Sequence, residues 1–280
     1  MLAPILFLLM WSSGAVMVKV GLQYASVWSF LAARSIVSLA CLFLLYFVIK
    51  YREKVKFVAP SKSELIKILF VGVLLQVSYL SFYFLSIDSN TSPGIVTLIL
   101  GFQPLLTPFL CGQRLTLRSF LLLSMGFIGL AISLFGSSEM DKIAFLGVFF
   151  SVVALLSISI GTVLQANISH HIVQNMFYQS LLSAPIFLVV SMYCGGNITW
   201  TLEFCISLVW MSIVVSVGAL LLLMYMAKQD GASSVSVLFY AVPVLAYFFD
   251  FVIFRNGLSV ITILGMVIVA VSVIFYRKLR

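Results

Sequence analysis

Apolar residues run along this chain in long, nearly unbroken blocks. Polar residues fall between the blocks or at isolated sites inside them. The blocks lie at roughly 3–22, 27–49, 65–87, 92–111, 118–136, 143–166, 172–193, 203–227, 232–254 and 258–276. Each is close to the length of about 20 residues that a helix needs to cross the hydrocarbon core. A water-soluble helix would show a polar outer face at a 3.6-residue period, but these blocks are apolar nearly all round. Strands of a membrane barrel are shorter and alternate. The pattern predicts an all-α polytopic membrane protein with ten transmembrane helices.

The ten blocks fall into two similar sets of five. Adding 139 to the numbering places Thr97 on Ser236, Pro104 on Pro243, Gly126 on Gly265 and Ala131 on Ala270. Spans four and five therefore match spans nine and ten without a gap. Five is odd, so the second set enters the membrane from the opposite side. The expected organisation is a first five-helix repeat at 1–136 and a second, inverted repeat at 143–280, together one transmembrane unit. Inverted repeats of this kind are typical of secondary transporters that alternate access around a site between the repeats.

Single polar residues at helical spacing mark the expected site. Residues at i, i+3, i+4 and i+7 share one helix face. Span three carries Gly72, Gln76, Tyr79, Tyr83 and Ser86; span four carries Thr97, Gly101, Pro104 and Pro108; span nine carries Ser233, Ser236, Tyr240, Pro243, Tyr247 and Asp250. Span one adds Ser12 and Lys19. Lipid cannot satisfy such groups, so the stripes are expected to face protein or a water-filled cavity. Tyrosine rings with polar tips suit a pocket for an organic solute, and Trp11 and Trp210 are candidates for aromatic walls. Trp28 and Trp200 fit an interfacial belt. Helix packing is the competing role for the small residues Gly126, Gly129, Gly265, Ser212 and Ser216. Pro104 and Pro243 each remove a backbone donor near mid-membrane and are expected to act as a paired hinge or gate.

Composition agrees with this picture: 63% of residues are hydrophobic and 9% charged, and the mean hydropathy is +1.22. The net charge of +8 reflects topology rather than a nucleic-acid partner. With the N-terminus inside, Lys50, Arg52, Lys54, Lys56, Lys62, Lys67, Arg114, Arg118, Lys228, Arg277, Lys278 and Arg280 all face the cytoplasm. Only Lys142 and Arg255 fall in outer loops. The positive-inside bias places both termini in the cytoplasm of a multi-pass protein of the cell (inner) membrane. Met1-Leu2-Ala3-Pro4 lacks a basic n-region, so span one is expected to be a retained helix rather than a signal peptide.

The residues exclude several kinds of chemistry. No GxxxxGK[ST] phosphate loop, HExxH pair or GxSxG elbow is present. The four cysteines lack metal-ligand spacing, so no metal or cofactor is expected. A disulfide between Cys194 and Cys205 across one outer loop is an open alternative. The charged residues inside spans, Lys19, Arg34 and Asp250, are costly in lipid and are expected to approach one another on the outer side of the cavity. There Arg34 pairs with Asp250, and the remaining positive charge attracts a substrate carboxylate or phosphate.

The chain also resembles the drug/metabolite transporter superfamily, of the ten-span EamA type. The residues that carry the likeness are Trp11-Ser12-Ser13-Gly14 and Lys19, Ala32-Ala33-Arg34, Tyr83-Phe84-Leu85, Pro104 and Gly126-Phe127-Ile128-Gly129. Tyr225-Met226-Ala227-Lys228, Pro243 and Gly265 follow in the second set. The resemblance implies a secondary transporter of small organic metabolites, amino acids or related compounds, rather than an enzyme. Its partners are then a small-molecule substrate and the lipid bilayer, with no nucleic acid; protein partners are unknown. The rival reading is a membrane-embedded structural or receptor protein without a transport cycle, for which the two repeats would enclose no accessible cavity.

Overall fold

The computed structural model describes residues 2–52, 57–89, 91, 93–135, 144–245, 249 and 259–278. Helices account for nearly all of them. In chain order they are α1 (Leu2–Gly21), α2 (Val27–Arg52), α3 (Lys62–Asp88), α4 (Pro93–Leu100), α5 (Gln103–Leu110) and α6 (Leu117–Phe135). Then follow α7 (Phe145–Ala166), α8 (Ile172–Tyr193), α9 (Leu202–Asp230), α10 (Ala232–Leu245) and α11 (Val260–Lys278). Seven of these, α1–α3 and α6–α9, are long and apolar enough to cross a membrane. The other apolar stretches, Ile95–Leu110, Ala232–Leu245 and Val260–Tyr276, are shorter.

One of the shorter stretches has a local cause. The expected span at 92–111 is broken into α4 and α5 by a turn at Gly101 and Phe102. Pro104 sits in the first turn of α5, where its missing N–H leaves no bond unmade. The expected span at 232–254 begins as an α turn, tightens to a 3-10 helix at Val237–Tyr240 and is described as a helix as far as Leu245.

Local signals set several helix starts. Ser61 and Glu64 form a reciprocal cap on α3, with the Ser61 amide donating to Glu64 Oε2 at 2.8 Å. Thr201 caps α9 by accepting from the Phe204 amide. Gly231, at φ 82°, turns the chain between α9 and α10 in a conformation that L side chains rarely adopt.

Hydroxyl groups inside the apolar helices mostly bond back to their own turn. Ser38 donates to the Arg34 carbonyl, Thr107 to Gln103, Thr162 to Ile158 and Ser212 to Leu208. These bonds satisfy the hydroxyls where lipid or apolar side chains cannot. Large apolar side chains such as Phe43, Phe70, Phe149, Leu188 and Phe275 are exposed, as a lipid-facing surface requires.

The helices pack in pairs drawn from the two sets: α1 with α9, α2 with α8, the second half of α3 with α7, and α6 with α11. The last pair is the closest. A side chain at Gly126 would meet Ser272, one at Gly129 would meet Ile268, and one at Gly265 would meet Ser133. Residue numbers rise on one helix as they fall on the other, so α6 and α11 are antiparallel. Small residues permit this approach, which membrane helices use because lipid provides no hydrophobic drive between them.

Connections also meet in groups. Ala25 and Ile198 form an isolated antiparallel bridge between the α1–α2 and α8–α9 connections. Elsewhere, His170 lies 3.3 Å from Glu64, Lys228 Nζ donates to the Ser169 carbonyl, and Gln174 donates to the Val58 carbonyl. Cys194 and Cys205 are both free thiols.

Candidate functional site

A cavity of about 90 Å3 lies among helices of both sets. That volume has room for several waters or a small organic group. Trp11 and Gly14 come from α1, Arg34, Ser35 and Ser38 from α2, and Gln76, Tyr79 and Tyr83 from α3. Thr97, Gly101 and Gln103 come from the broken α4–α5 segment. Ser180 is from α8, Met211, Val215 and Ser216 from α9, and Phe239 and Pro243 from α10.

Two of these walls are wound irregularly. In α3 the segment Val73–Ser78 is a π-helix, and in α9 so is Trp210–Ala219. The shift of 139 carries the first onto residues 212–217, inside the second. Both wide turns present side chains to the cavity: Leu75 and Gln76 from one, Met211, Val215 and Ser216 from the other. Such turns are rare and frequently occur at functional sites.

Aromatic rings form a continuous wall. The Trp11 and Tyr79 rings stack at 6.4 Å between centroids, Tyr79 and Tyr83 lie 5.8 Å apart, and Phe239 meets Trp11 edge-on at 5.5 Å. A second wall is polar. Gln76 Oε1 accepts from Ser180 Oγ at 2.9 Å and Ser183 Oγ at 3.1 Å, and Gln76 Nε2 donates to Gln179 Oε1 at 3.4 Å. Gln179 in turn donates to Gln165 Oε1 at 2.7 Å. This chain of amides ties α3, α7 and α8 together.

Arg34 supplies the cavity's positive charge. It is 4% exposed, its Nε donates to Ser216 Oγ at 2.6 Å, and its guanidinium carbon lies 5.9 Å from the centre of the Phe84 ring. No Asp or Glu lines the cavity among the described residues. Among those residues, too, no cluster of His, Cys, Asp and Glu could hold a metal.

A family model for EamA-like transporters matches residues 1–135 and matches again at 145–277. The chain belongs to the EamA-like transporter family. It is thus a multi-pass membrane protein of a family of small-molecule transporters rather than of enzymes. A solved crystal structure resembles it with a TM-score of 0.76 over 100% of this chain and 98% of its own, at 17% identity. At that identity the likeness concerns the fold. No curated protein matches the chain.

The sequence-expected residues of this EamA-like protein divide into three groups. Trp11, Arg34, Gln76, Tyr79, Tyr83, Thr97, Gly101 and Pro243 line the cavity. Ser12, Lys19, Trp210, Ser236, Tyr240 and Pro104 lie elsewhere. Ser12 and Ser236 are fully buried, and Ser236 donates to the Ser233 carbonyl. Lys19 is exposed on α1. Trp210 is 37% exposed and donates to Ser13 Oγ at 3.0 Å. Tyr240 is fully buried and donates to the Leu123 carbonyl at 2.8 Å, so its hydroxyl joins α10 to α6 instead of facing the cavity. Pro104 is buried one residue beyond Gln103 in α5. Tyr247 and Asp250 lie outside the described residues, and with Asp250 so does the expected pairing with Arg34.

Sequence reasoning missed Gln103 and Ser180, and it assigned Ser216, which lines the cavity, to helix packing. Gln103 was recognisable as the one amide in the run Leu100-Gly101-Phe102-Gln103-Pro104. It stood off the stripe drawn for an unbroken helix.

Proposed function

We propose that this protein is a secondary transporter that carries small organic metabolites, amino acids and related compounds among them, through the central cavity by alternating access. The observation that carries this reading is the cavity itself, enclosed by helices of both matched segments and bordered by two π turns and a broken helix. Interrupted helices around a site between two repeats are the usual architecture of such transporters.

Ten crossings in two inverted repeats accord with the packing. Adding 139 turns the Gly126–Ser272 contact into the Gly265–Ser133 contact and leaves Gly129–Ile268 on itself. This is the pattern expected of a two-fold axis passing between Gly129 and Ile268. Exchanging the two sets also converts the α1–α9 pair into the α7–α3 pair. The basic residues of the connections support cytoplasmic termini in the cell membrane. The contacts of Glu64 with His170 and of Lys228 with Ser169 join three connections to one another, which supports a common side for them. Pro104 and Pro243 are proposed as the paired hinge, one beside a helix break and one on the cavity wall.

The test is solute entry into liposomes holding the purified full chain. A mixture of amino acids and related metabolites is supplied outside, and the lumen is analysed by mass spectrometry. Saturable entry of at least one solute, slowed by Gln76→Leu, is expected. Entry no faster than into protein-free vesicles, in both loading directions, would overturn the proposal and favour the structural or receptor reading.

A further inference from the structure

We infer that the cavity selects solutes that carry a carboxylate, with Arg34 holding that group and Gln103 taking a second polar group of the same solute. The inference rests on the transport reading above and narrows its substrate class.

Arg34 is a buried charge whose environment is incomplete. Ser216 occupies Nε and the Phe84 ring lies beside the guanidinium, which together orient its plane. Nη1 is buried and has no hydrogen-bond partner. The ion pair among the described residues, His170 with Glu64, is elsewhere, and the cavity lining contains neither Asp nor Glu among those residues. A guanidinium held in low dielectric is tolerated when an opposite charge and further hydrogen bonds compensate it. A carboxylate meets both needs, because its two oxygens match the guanidinium fork.

Gln103 is the second incomplete group on the same cavity. It is 0% exposed, and neither its Nε2 nor its Oε1 has a partner. A buried amide left unpaired on both atoms is costly and uncommon. An amide is neutral and both donates and accepts, so it suits a hydroxyl, an amide or an ammonium on the solute. Gln76, by contrast, is already bonded to Ser180, Ser183 and Gln179. The free polar capacity of the cavity thus lies at Arg34 and Gln103, with the Trp11 and Tyr79 rings available for an apolar body.

This arrangement discriminates by charge. An anion gains a counter-charge at Arg34, and a zwitterion gains it for its carboxylate while its ammonium meets Gln103 Oε1. A solute that is only cationic finds one like charge and no carboxylate among the described residues.

The experiment measures binding rather than transport. Purified full chain is titrated with small aliphatic and aromatic carboxylates, the corresponding α-amino acids, and the carboxamide and amine matching each. Affinity is read calorimetrically and by shift of thermal unfolding. The expected result is at least one carboxylate or amino acid bound tenfold or more tightly than its carboxamide, with the amines weakest. Arg34→Lys, which keeps the charge, should weaken that probe at least tenfold, and Gln103→Leu should weaken most those probes that carry a second polar group. A carboxylate panel that binds no better than its amides, including no binding at all, overturns the inference, and so does unchanged affinity in Arg34→Lys. The comparison of probes on the wild-type protein stands even where a variant fails to fold. Entry of neutral or amine solutes into liposomes without carboxylate preference would defeat this inference and leave transport intact. Carboxylate binding without entry would do the reverse.

Discussion

Replacing Gly265 with alanine tests the close backbone approach between α6 and α11. A Cβ at that position would fall against the Ser133 amide nitrogen, 2.5 Å from the Gly129 carbonyl oxygen and 2.6 Å from Ser133 Cα. All three are backbone atoms of α6, so no side chain can swing aside and the two helices must separate. Overpacking of this kind costs about 1–3 kcal/mol. The intrinsic helix preference of alanine over glycine returns up to about 1 kcal/mol. A net loss of about 1–2 kcal/mol is expected, read as a fall of a few degrees in the unfolding temperature of the detergent-solubilised protein. Gly14→Ala is the control. Its Cβ would meet a Val215 methyl at 3.4 Å and Met211 Sδ at 3.6 Å, which is ordinary contact, so stability should hold or rise. Gly126→Ala should fall between, since the Tyr240 ring and Ser272 Oγ that it meets are side-chain atoms. A Gly265→Ala protein as stable as wild type would refute the backbone contact and, with it, the antiparallel register of α6 and α11.

Gln76→Leu removes hydrogen bonds to Ser180, Ser183 and Gln179. At about 0.6 kcal/mol for each bond inside a membrane protein, it should cost about 2 kcal/mol of stability. Its double-mutant cycle with Ser180→Ala should show coupling of about 0.5 kcal/mol, and strict additivity would deny the bond. Tyr240→Phe should lower stability by about 1 kcal/mol through loss of the bond to Leu123 and leave solute affinity unchanged, since that hydroxyl lies off the cavity; a marked affinity change measured by titration would contradict this placement. With Cys41, Cys111, Cys194 and Cys205 replaced, single cysteines introduced at Ser63 and at Thr199 should react with an impermeant reagent from opposite sides of the membrane. Labelling of both from one side would contradict the proposed topology.

The helices were legible because apolar block length and the bilayer thickness are tied by simple geometry. Every described helix of the fold lies within an expected block or just beyond its ends, with one block divided in two. The span-three stripe through Gln76, Tyr79 and Tyr83 faces the cavity as its spacing suggested. Span nine behaved differently because its winding changes. The stripe through Ser236 and Tyr240 assumes 100° per residue, whereas the 3-10 segment Val237–Tyr240 advances about 120°. Phe239 therefore reaches the cavity and Tyr240 turns toward Leu123. The break at Gly101 and Phe102 likewise brings Gln103 to the cavity in place of Pro104. Lys19 was placed by its cost in lipid alone, and a long side chain near a helix end escapes that cost by reaching the surface. Ser180 stands outside the stripes drawn, and Ser216, four residues from Ser212, reads equally as a packing residue; the meeting of α2 with α9 at Arg34 reveals its place at the cavity.

The two π turns also limit how the chain can vary in length. A π turn accommodates one more residue than an α turn over the same rise. Deleting a single residue within Val73–Ser78 would restore regular winding and keep the remainder of α3 in phase, whereas adding or deleting one residue in the regular turns before it would rotate that remainder by about 100° relative to the start of the helix. Tyr79 and Tyr83 would then leave the aromatic wall, although the segment would stay as apolar and almost as long. The same holds for the second wide turn and the side chains beyond it, Leu220 and Leu223. A change of one residue in length that is harmless in the connections is therefore absorbed within these helices only at the wide turns, and elsewhere along them it changes which faces meet.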